Sequence, residues 1–364
     1  MNDHSDYHAL SVQAQVKVNE SDDIVKKLIQ QGTPQNSIRA LVSDLRYFWH
    51  WCAIVFPDIQ DYPVPYPVIQ TFVTDHLGFE TTSGVTVGMN EHTEDLMLSQ
   101  GAPVTRKGFK FKPGHHKLNT IKRRLSSLSK AHTVAGFKDH DVYHPVIKEM
   151  LKRARGHSIN KPTKKDAMTK DVFEQLIAVC ASNSLQDLRD RALIGAALVS
   201  GGRRRSEIVA MQFNDLKPRV INDAIAFEWH IHASKTHTVS DDALVVPILG
   251  EVAEWLDTWI FQSGIQEGHI FRSINRWEQI KKPLSAAGVR QIIKRIQEKA
   301  GLQSLDLSAH SIRSGFCTES ARQGISPQES MALSNHKDVK TFFSYYRHGQ
   351  ATQNPAAKLF NTKN

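Results

Sequence analysis

The chain has 364 residues, a length that fits two domains. Hydrophobic residues make up 40% and charged residues 23%, which supplies apolar cores and excludes a disordered chain. Lys and Arg total 46 against 37 Asp and Glu; the resulting net charge of +9 points to a polyanion, either nucleic acid or an anionic membrane surface.

The opening residues, MNDHSDYHAL, hold no apolar run of the secretory type. The most apolar short stretch, from Ala192 to Val199, is roughly a third of a bilayer span, so no membrane partner is expected. Cys52, Cys180 and Cys317 are odd in number and far apart. No disulfide framework or zinc spacing follows, and a reducing cytosol fits.

Residues 1–21 read as a polar tail, and helical signals begin at Asp22 and run to Gln31. Thr33-Pro34-Gln35-Asn36-Ser37 is a helix start signal. Beyond it Ile38, Leu41, Leu45, Phe48 and Cys52 recur at spacings of three and four, one apolar helical stripe. Arg39, Ser43, Arg46 and His50 keep the same rhythm on another face, which reads as solvated. From 80 to 117 Gly, Thr, Ser and Pro are frequent and no period holds, so a long loop insertion is expected. A helix resumes from Asn119 to His132 on Ile121, Leu125 and Leu128. No Asp or Glu occurs between Asp95 and Asp139, and so long a basic stretch attracts anions.

A second basic segment, Lys152 to Lys165, carries Gly156, Ser158, Asn160 and Pro162 and reads as the linker. Thr169 then stands as a helix N-cap, with Asp171 and Glu174 where the macrodipole favours acids. Ile225, Phe227, Trp229 and Ile231 alternate with Ala226, Glu228 and His230, the period of a strand. The run from Ala243 to Leu249 reads as its partner. Helices are expected over 250–262 and 285–300, the second with Val289, Ile292, Ile293 and Ile296 inward and Arg290 and Lys294 elsewhere.

Four sites stand out in this second half. Gly201-Gly202-Arg203-Arg204-Arg205-Ser206-Glu207 joins an apolar helix to a new one. Arginines at a helix start oppose the macrodipole, so helix stability does not explain them. Glu207 stands three residues from Arg204, where it can hold the guanidinium; a merely basic turn is the bland reading. In Ser308-Ala309-His310-Ser311-Ile312-Arg313, His310 and Arg313 project from one helical face, and either can meet a phosphate oxygen. His336 follows a short helix opened by the capping box Ser326-Pro327-Gln328-Glu329. Tyr345 stands nine positions after His336, with Tyr346 beside it. A buried tyrosine is ordinarily a core residue with a satisfied hydroxyl.

In this order and at these separations, Arg204, His310, Arg313, His336 and the tyrosine resemble the tyrosine recombinase (phage integrase) family, in its simple two-domain Cre/Xer-like type. Gly202-Arg203-Arg204-Arg205-Ser206-Glu207 is similar to the family's Gly-x-Arg-x-Ser-Glu turn, which selects Arg204 from the three arginines. Ser234-Lys235-Thr236 resembles its β-hairpin lysine. The nine-residue spacing selects Tyr345 over Tyr346. The resemblance is close over 166–350 and looser over 22–155. Asn335 departs from it, standing where many members carry glycine. Arg203 and Arg205 are additional charges that touch the DNA backbone or are simply exposed, and the 80–117 segment exceeds the family's usual connection.

The resemblance implies a mainly α fold with a small antiparallel β-sheet in the catalytic domain. It implies an N-terminal tail (1–21), a helical, SAM-like core-binding domain for DNA (22–155, with the insertion at 80–117), a linker (156–165) and a catalytic domain (166–350). A tail (351–364) would dock on a neighbouring protomer through Leu359 and Phe360, and the two domains would close on duplex DNA as a C-shaped clamp. The implied activity is site-specific recombination or integration. Tyr345 attacks the phosphodiester, His310 takes its proton, and Arg204 and Arg313 neutralise the non-bridging oxygens. Lys235 protonates the leaving 5′-oxygen, His336 hydrogen-bonds the scissile phosphate, and Glu207 orients the first arginine. The 3′-phosphotyrosyl product conserves bond energy, so no metal, ATP or other cofactor is expected.

Arg39, Arg46, Arg123 and Lys130 in the first domain, and Arg290 and Lys294 in the second, are candidates for DNA contact. The implied partners are duplex recombination sites and further copies of the chain. These would be a monomer in solution, a dimer on each site and a homo-tetramer exchanging strands through a Holliday junction, in a bacterial or phage-type, nucleoid-associated cytoplasmic setting. Two alternatives differ in class. A type IB-like topoisomerase would relax supercoils without recombining two sites, and a catalytically inactive DNA-binding regulator would have no use for the tyrosine.

Overall fold

Apolar side chains gather in two principal cores that share no member, and the chain divides into two units, residues 1–163 and 164–364. The structure, a computed structural model, describes residues 23–77, 79–80, 86–99, 113–156, 165–232 and 244–350. The expected tails 1–21 and 351–364 lie outside these residues, as do Lys235, Leu359, Phe360 and all of the expected linker except its two end residues.

The first unit is helical. In α1 (23–30), Ile24 and Leu28 stand one turn apart and are both buried. The expected stripe lies on α2 (Gln35–Val55), where Ile38, Leu41, Leu45, Phe48 and Cys52 are buried. Helices α3 (Tyr66–Leu77) and α5 (Leu118–Val134) close the core from other sides, and Phe72 meets Phe48 and Trp51 edge-on at ring separations of 5.1 and 5.0 Å. Helix α6 (Pro145–Arg153) adds Ile147 and Leu151.

Two expectations for this unit are corrected, and they share one cause. The 80–117 segment is not loop throughout. It holds a short pair of strands, β1 (Phe79–Glu80) and β2 (Thr86–Val87), and a helix, α4 (Glu91–Ser99). Asn90 starts α4 by accepting a 2.7 Å hydrogen bond from the Thr93 amide, and Glu91 and Glu94 sit in its first turn. Helix α4 packs on α2 with Thr93 and Met97 buried. His50 is therefore not on a solvated face: it is buried and hydrogen-bonds the Met97 backbone.

The second unit is built around α8 (Leu185–Val199), whose residues from Ala192 to Ala197 are all buried. It packs against both α10 (Glu251–Ser263) and α12 (Ala309–Arg322), which is why its apolar C-terminal half is stable here. Helix α7 (Lys170–Ala178) precedes it; Thr169 is at its N-cap position but makes no side-chain capping bond. A three-stranded antiparallel sheet lies between α9 (Arg205–Ala210) and α10, in the order β3 (Leu216–Ile221), β4 (Ala224–Ile231), β5 (Leu244–Ile248). The two strands read from the sequence do pair, with Trp229 opposite Val246. Strand β3 escaped the reading because only Leu216 faces inward and no alternation results. Asn222 and Asp223 join it to β4 with positive φ values of 50 and 61°, as a two-residue hairpin turn requires. A second hairpin, β6 (Arg272–Ile274) and β7 (Ile280–Pro283), leads into α11 (Ala286–Lys299), and α13 (Pro327–Ser334) and α14 (Val339–Gln350) follow α12. Among the described residues no helix is long and apolar enough to cross a membrane.

Candidate active site

The turn from α8 to α9 is shaped by two glycines. Gly201 and Gly202 adopt φ values of +94 and +66°. A Cβ on Gly202 would lie 2.6 Å from the Arg313 Cα, and one on Gly201 2.5 Å from the Leu333 carbonyl oxygen. Only bare backbone lets this turn sit between α12 and the end of α13. The turn sends its three arginines to different fates. Arg203 is 1% exposed and donates to the carbonyls of Ser200, at 2.7 Å, and of Leu333. It thus ties the end of α8 to the end of α13 and is not an exposed charge, and burial pushes its pKa down to about 10. Arg204 stands at the N-cap position of α9 and donates to the buried Glu207 carboxylate at 2.7 Å, while Glu207 also accepts from the Arg204 amide at 3.3 Å. Arg205 is exposed.

Helix α12 opens on Ser308, whose hydroxyl accepts from the His310 amide at 3.2 Å. Arg313, one turn further, is buried and donates to Gly202 O at 3.1 Å, Ser334 O at 2.9 Å and His336 Nε2 at 3.0 Å. That uses three of the five guanidinium N–H groups. Burial and Arg204 lower its pKa from 12.5.

His336 is aimed by Asn335, which ends α13 in the left-handed conformation, φ 51° and ψ 47°. Asparagine tolerates that region better than most residues, so it serves where many family members carry glycine. The Ser334 hydroxyl donates to Ser330 O at 2.7 Å and receives a hydrogen bond from His336 Nδ1, also at 2.7 Å. This chain keeps the proton on Nδ1 and leaves Nε2 as the acceptor for Arg313. Burial, with Arg313 and Arg204 close by, pushes the His336 pKa down to about 3, so the ring is neutral. The resemblance assigns His336 to the scissile phosphate; here its Nε2 is engaged by Arg313.

The two tyrosines are separated by the roughly 100° step between adjacent helical residues. Tyr346 is 2% exposed, packs with Cys317, Ala321 and Phe342, and donates to Ile325 O. Tyr345 is half-buried, and its hydroxyl and His310 Nε2 share a hydrogen bond of 2.7 Å. Burial raises the Tyr345 pKa above 10, and burial together with Arg313 lowers that of His310 below 6.5. A phenol that keeps its proton thus faces a neutral imidazole able to take it.

An open cleft of about 280 Å³ is lined by Arg204, Arg205, Arg290, Ser308, His310 and Arg313. Among the described residues Glu207 is the carboxylate beside Arg204 and Arg313, so the potential in the cleft favours an anion. Among the described residues no three His, Cys, Asp or Glu side chains gather as metal ligands.

The residues nominated for DNA contact have varied surroundings. Arg290 lines the cleft. Arg39 and Lys130 are exposed, Lys130 within 3.4 Å of the Thr33 hydroxyl, and Arg46 is half-buried. Arg123 is bound to the buried carboxylate of Asp44 at 2.7 Å, and the exposed Lys294 lies 3.7 Å from Glu298. Sequence reading missed the bracing roles of Arg203 and Ser334. The paired glycines before Arg203 were the available signal for the first, and a serine two residues before a histidine signals nothing by itself.

Residues 166–353 match the phage integrase family. Over 351 residues the chain is 25% identical to an integrase/recombinase XerD homolog of Selenomonas ruminantium, a match covering 92% of this chain and 89% of that protein. The fold is similar to that of lambda integrase, solved as a dimer bound to a COC′ core site (TM-score 0.53, 17% identity, 90% of this chain and 76% of that one). It is similar also to that of XerH site-specific recombinase, solved on a palindromic difH substrate (TM-score 0.53, 15% identity, 94% and 85%).

Proposed function

The chain belongs to the phage integrase family and is a tyrosine-type site-specific recombinase, and from that premise we propose that Tyr345 cuts DNA through a covalent 3′-phosphotyrosyl link. The observation that carries this is the 2.7 Å hydrogen bond from the Tyr345 hydroxyl to His310 Nε2, beside a cleft lined by Arg204 and Arg313. His310 takes the phenolic proton as the oxygen attacks phosphorus. Arg204 and the two uncommitted N–H groups of Arg313 meet the non-bridging oxygens as negative charge builds. His336 acts on the phosphate through Arg313, whose orientation it holds. Lys235 supplies the proton for the leaving 5′-oxygen. Attack by a second strand's 5′-hydroxyl on the phosphotyrosine reverses these steps, and exchange proceeds through a Holliday junction in a homo-tetramer, with the tail 351–364 docking between protomers.

The test is a denaturing-gel assay for protein–DNA adduct on a cleavable site. Tyr345→Phe binds the site and forms no adduct, whereas Tyr346→Phe forms it. An adduct that survives in Tyr345→Phe and disappears in Tyr346→Phe would reverse the assignment. Joining of two sites, rather than relaxation alone, separates this reading from a topoisomerase.

A further inference from the structure

We propose that residues 165–170, the first described residues of the second unit, form a strap that positions the first turn of α12, and with it His310, for proton transfer from Tyr345. The proposal rests on the reading of Tyr345 as nucleophile and His310 as its base. Gly315 and Asp166 are the positioning residues, and both act through the helix rather than on the phosphate. The strap runs beside α12 in the same direction and is tied to it at three levels. Before the helix, the Asp306 amide donates to Asp166 Oδ2 at 2.7 Å, and Lys165 pairs with the Asp306 carboxylate. At the first turn, the Met168 amide donates to Ser311 O at 2.9 Å. Further along, the Lys170 amide donates to the Glu319 carboxylate at 3.3 Å. Ser311, Gly315 and Glu319 recur every four residues, so they form one stripe, and the strap lies along it. The middle of that stripe has to be glycine. A Cβ on Gly315 would lie 2.6 Å from the Met168 carbonyl carbon, and closer still to its oxygen. The Met168 side chain is buried in the core of the unit, so the strap cannot lift to make room without withdrawing it.

Gly315 stands about 200° round the helix from Arg313, so strap and cleft grip α12 from opposite sides. The two cleft side chains of α12 depend on the strap unequally. Arg313 is anchored on the cleft side by Gly202 O, Ser334 O and His336. Among the described residues the His310 imidazole hydrogen-bonds Tyr345, the group it has to deprotonate. Its place is therefore set from behind, by the backbone of its own turn. Ser308 caps that turn, and Asp166 and Met168 hold the residues on either side of it, Asp306 and Ser311. A general base works only within hydrogen-bond reach of its proton, and a shift of about 1 Å costs up to about 10²-fold in rate.

The experiment measures the single-turnover rate of adduct formation by the full chain at saturating protein, from about pH 7 to 9, at a temperature where circular dichroism shows each variant folded. Gly315→Ala should lower the rate at neutral pH by about 10²-fold and leave DNA affinity within about twofold. Burial holds the Tyr345 pKa above 10, so phenolate is scarce over this range. With the base out of reach, attack depends on that phenolate, and the variant's rate should climb by about tenfold per pH unit while wild type climbs less. Loss of stability alone changes neither the pH slope nor the rate of the folded protein. Asp166 is exposed, so Asp166→Ala leaves the core intact; it should show the same signature with a loss of about tenfold. Asp166→Asn keeps an oxygen for the Asp306 amide and should restore the rate. Wild-type rates and slopes in Gly315→Ala and Asp166→Ala overturn the proposal, as does an equal loss in Asp166→Asn and Asp166→Ala. A wild type that forms no Tyr345 adduct overturns the reading beneath the proposal, whereas a wild type that forms it beside unaffected variants overturns the strap alone.

Discussion

Each unit places arginines beside a buried carboxylate, and the two arrangements spend their charge differently. In the first unit Asp44, its side chain 2% exposed, binds Arg123 at 2.7 Å, lies 3.8 Å from Arg124 and accepts from the Ser127 hydroxyl at 2.9 Å. Arg124 lies over the Tyr47 ring, 3.3 Å from its centroid. These charges are offset inside the fold. In the second unit Arg313 is buried, unlike the half-exposed Arg123, and its partners are two carbonyls and a neutral imidazole. Dipoles orient a guanidinium without cancelling its charge, so Arg313 presents a nearly full positive charge to whatever enters the cleft. Arg313 keeps two N–H groups and an uncancelled charge for a ligand, whereas Arg123 is committed to Asp44.

The largest effect should come from breaking the uncancelled side. Arg313→Ala removes a donor aimed at developing charge, and the single-turnover rate of adduct formation should fall by about 10²–10³-fold. Arg123→Ala should change DNA affinity by less than about tenfold and leave the adduct rate at saturating protein within about twofold. Equal losses of rate in both variants would erase the distinction between the two clusters.

Next in size is the offset side. Asp44→Asn leaves Arg124, its side chain 10% exposed, without its counter-ion. Stability measured by urea unfolding should drop by about 3 kcal/mol. The same substitution frees Arg123, so at a temperature where the variant is folded its DNA-binding salt slope should steepen by up to about one. A stable variant with an unchanged slope would mean that Asp44 and Arg123 are coupled only weakly.

The contrast also explains what could be read without coordinates. His310 with Arg313, Arg204 with Glu207, and the His336–Tyr345 interval lie on single helices or adjacent turns, where spacing dictates geometry. That only one of Tyr345 and Tyr346 faces the site was legible for the same reason, since adjacent helical residues point apart, while the choice of Tyr345 rested on the family's nine-residue spacing. Long-range packing was not legible. The burial of His50 depends on α4, a helix hidden in a stretch rich in Gly, Ser and Thr. The inward turn of Arg203 depends on the positive φ of two glycines and on a carbonyl 130 residues away. The tautomer of His336 depends on Ser334, whose hydroxyl works only because α13 places Ser330 O beneath it.

The smallest predicted effect separates the units by pH. Burial lowers the pKa of His76 well below 6.5 and also lowers that of His132, both in the first unit. The unfolded chain protonates these histidines near pH 6.5 and the folded unit resists, so their contribution is complete above 6.5 and is lost as pH falls toward the folded values. His310 obeys a different rule. As the proposed base it must be neutral, and its lowered pKa keeps it so just beneath 6.5. Descending from pH 7, the thermal midpoint should therefore begin to fall first, while the single-turnover adduct rate stays level. The rate should then decline by about tenfold per pH unit once the lowered pKa of His310 is passed. A rate that falls in step with the midpoint from pH 6.5 would show that His310 titrates as it does in water, and that the cleft does not depress its basicity.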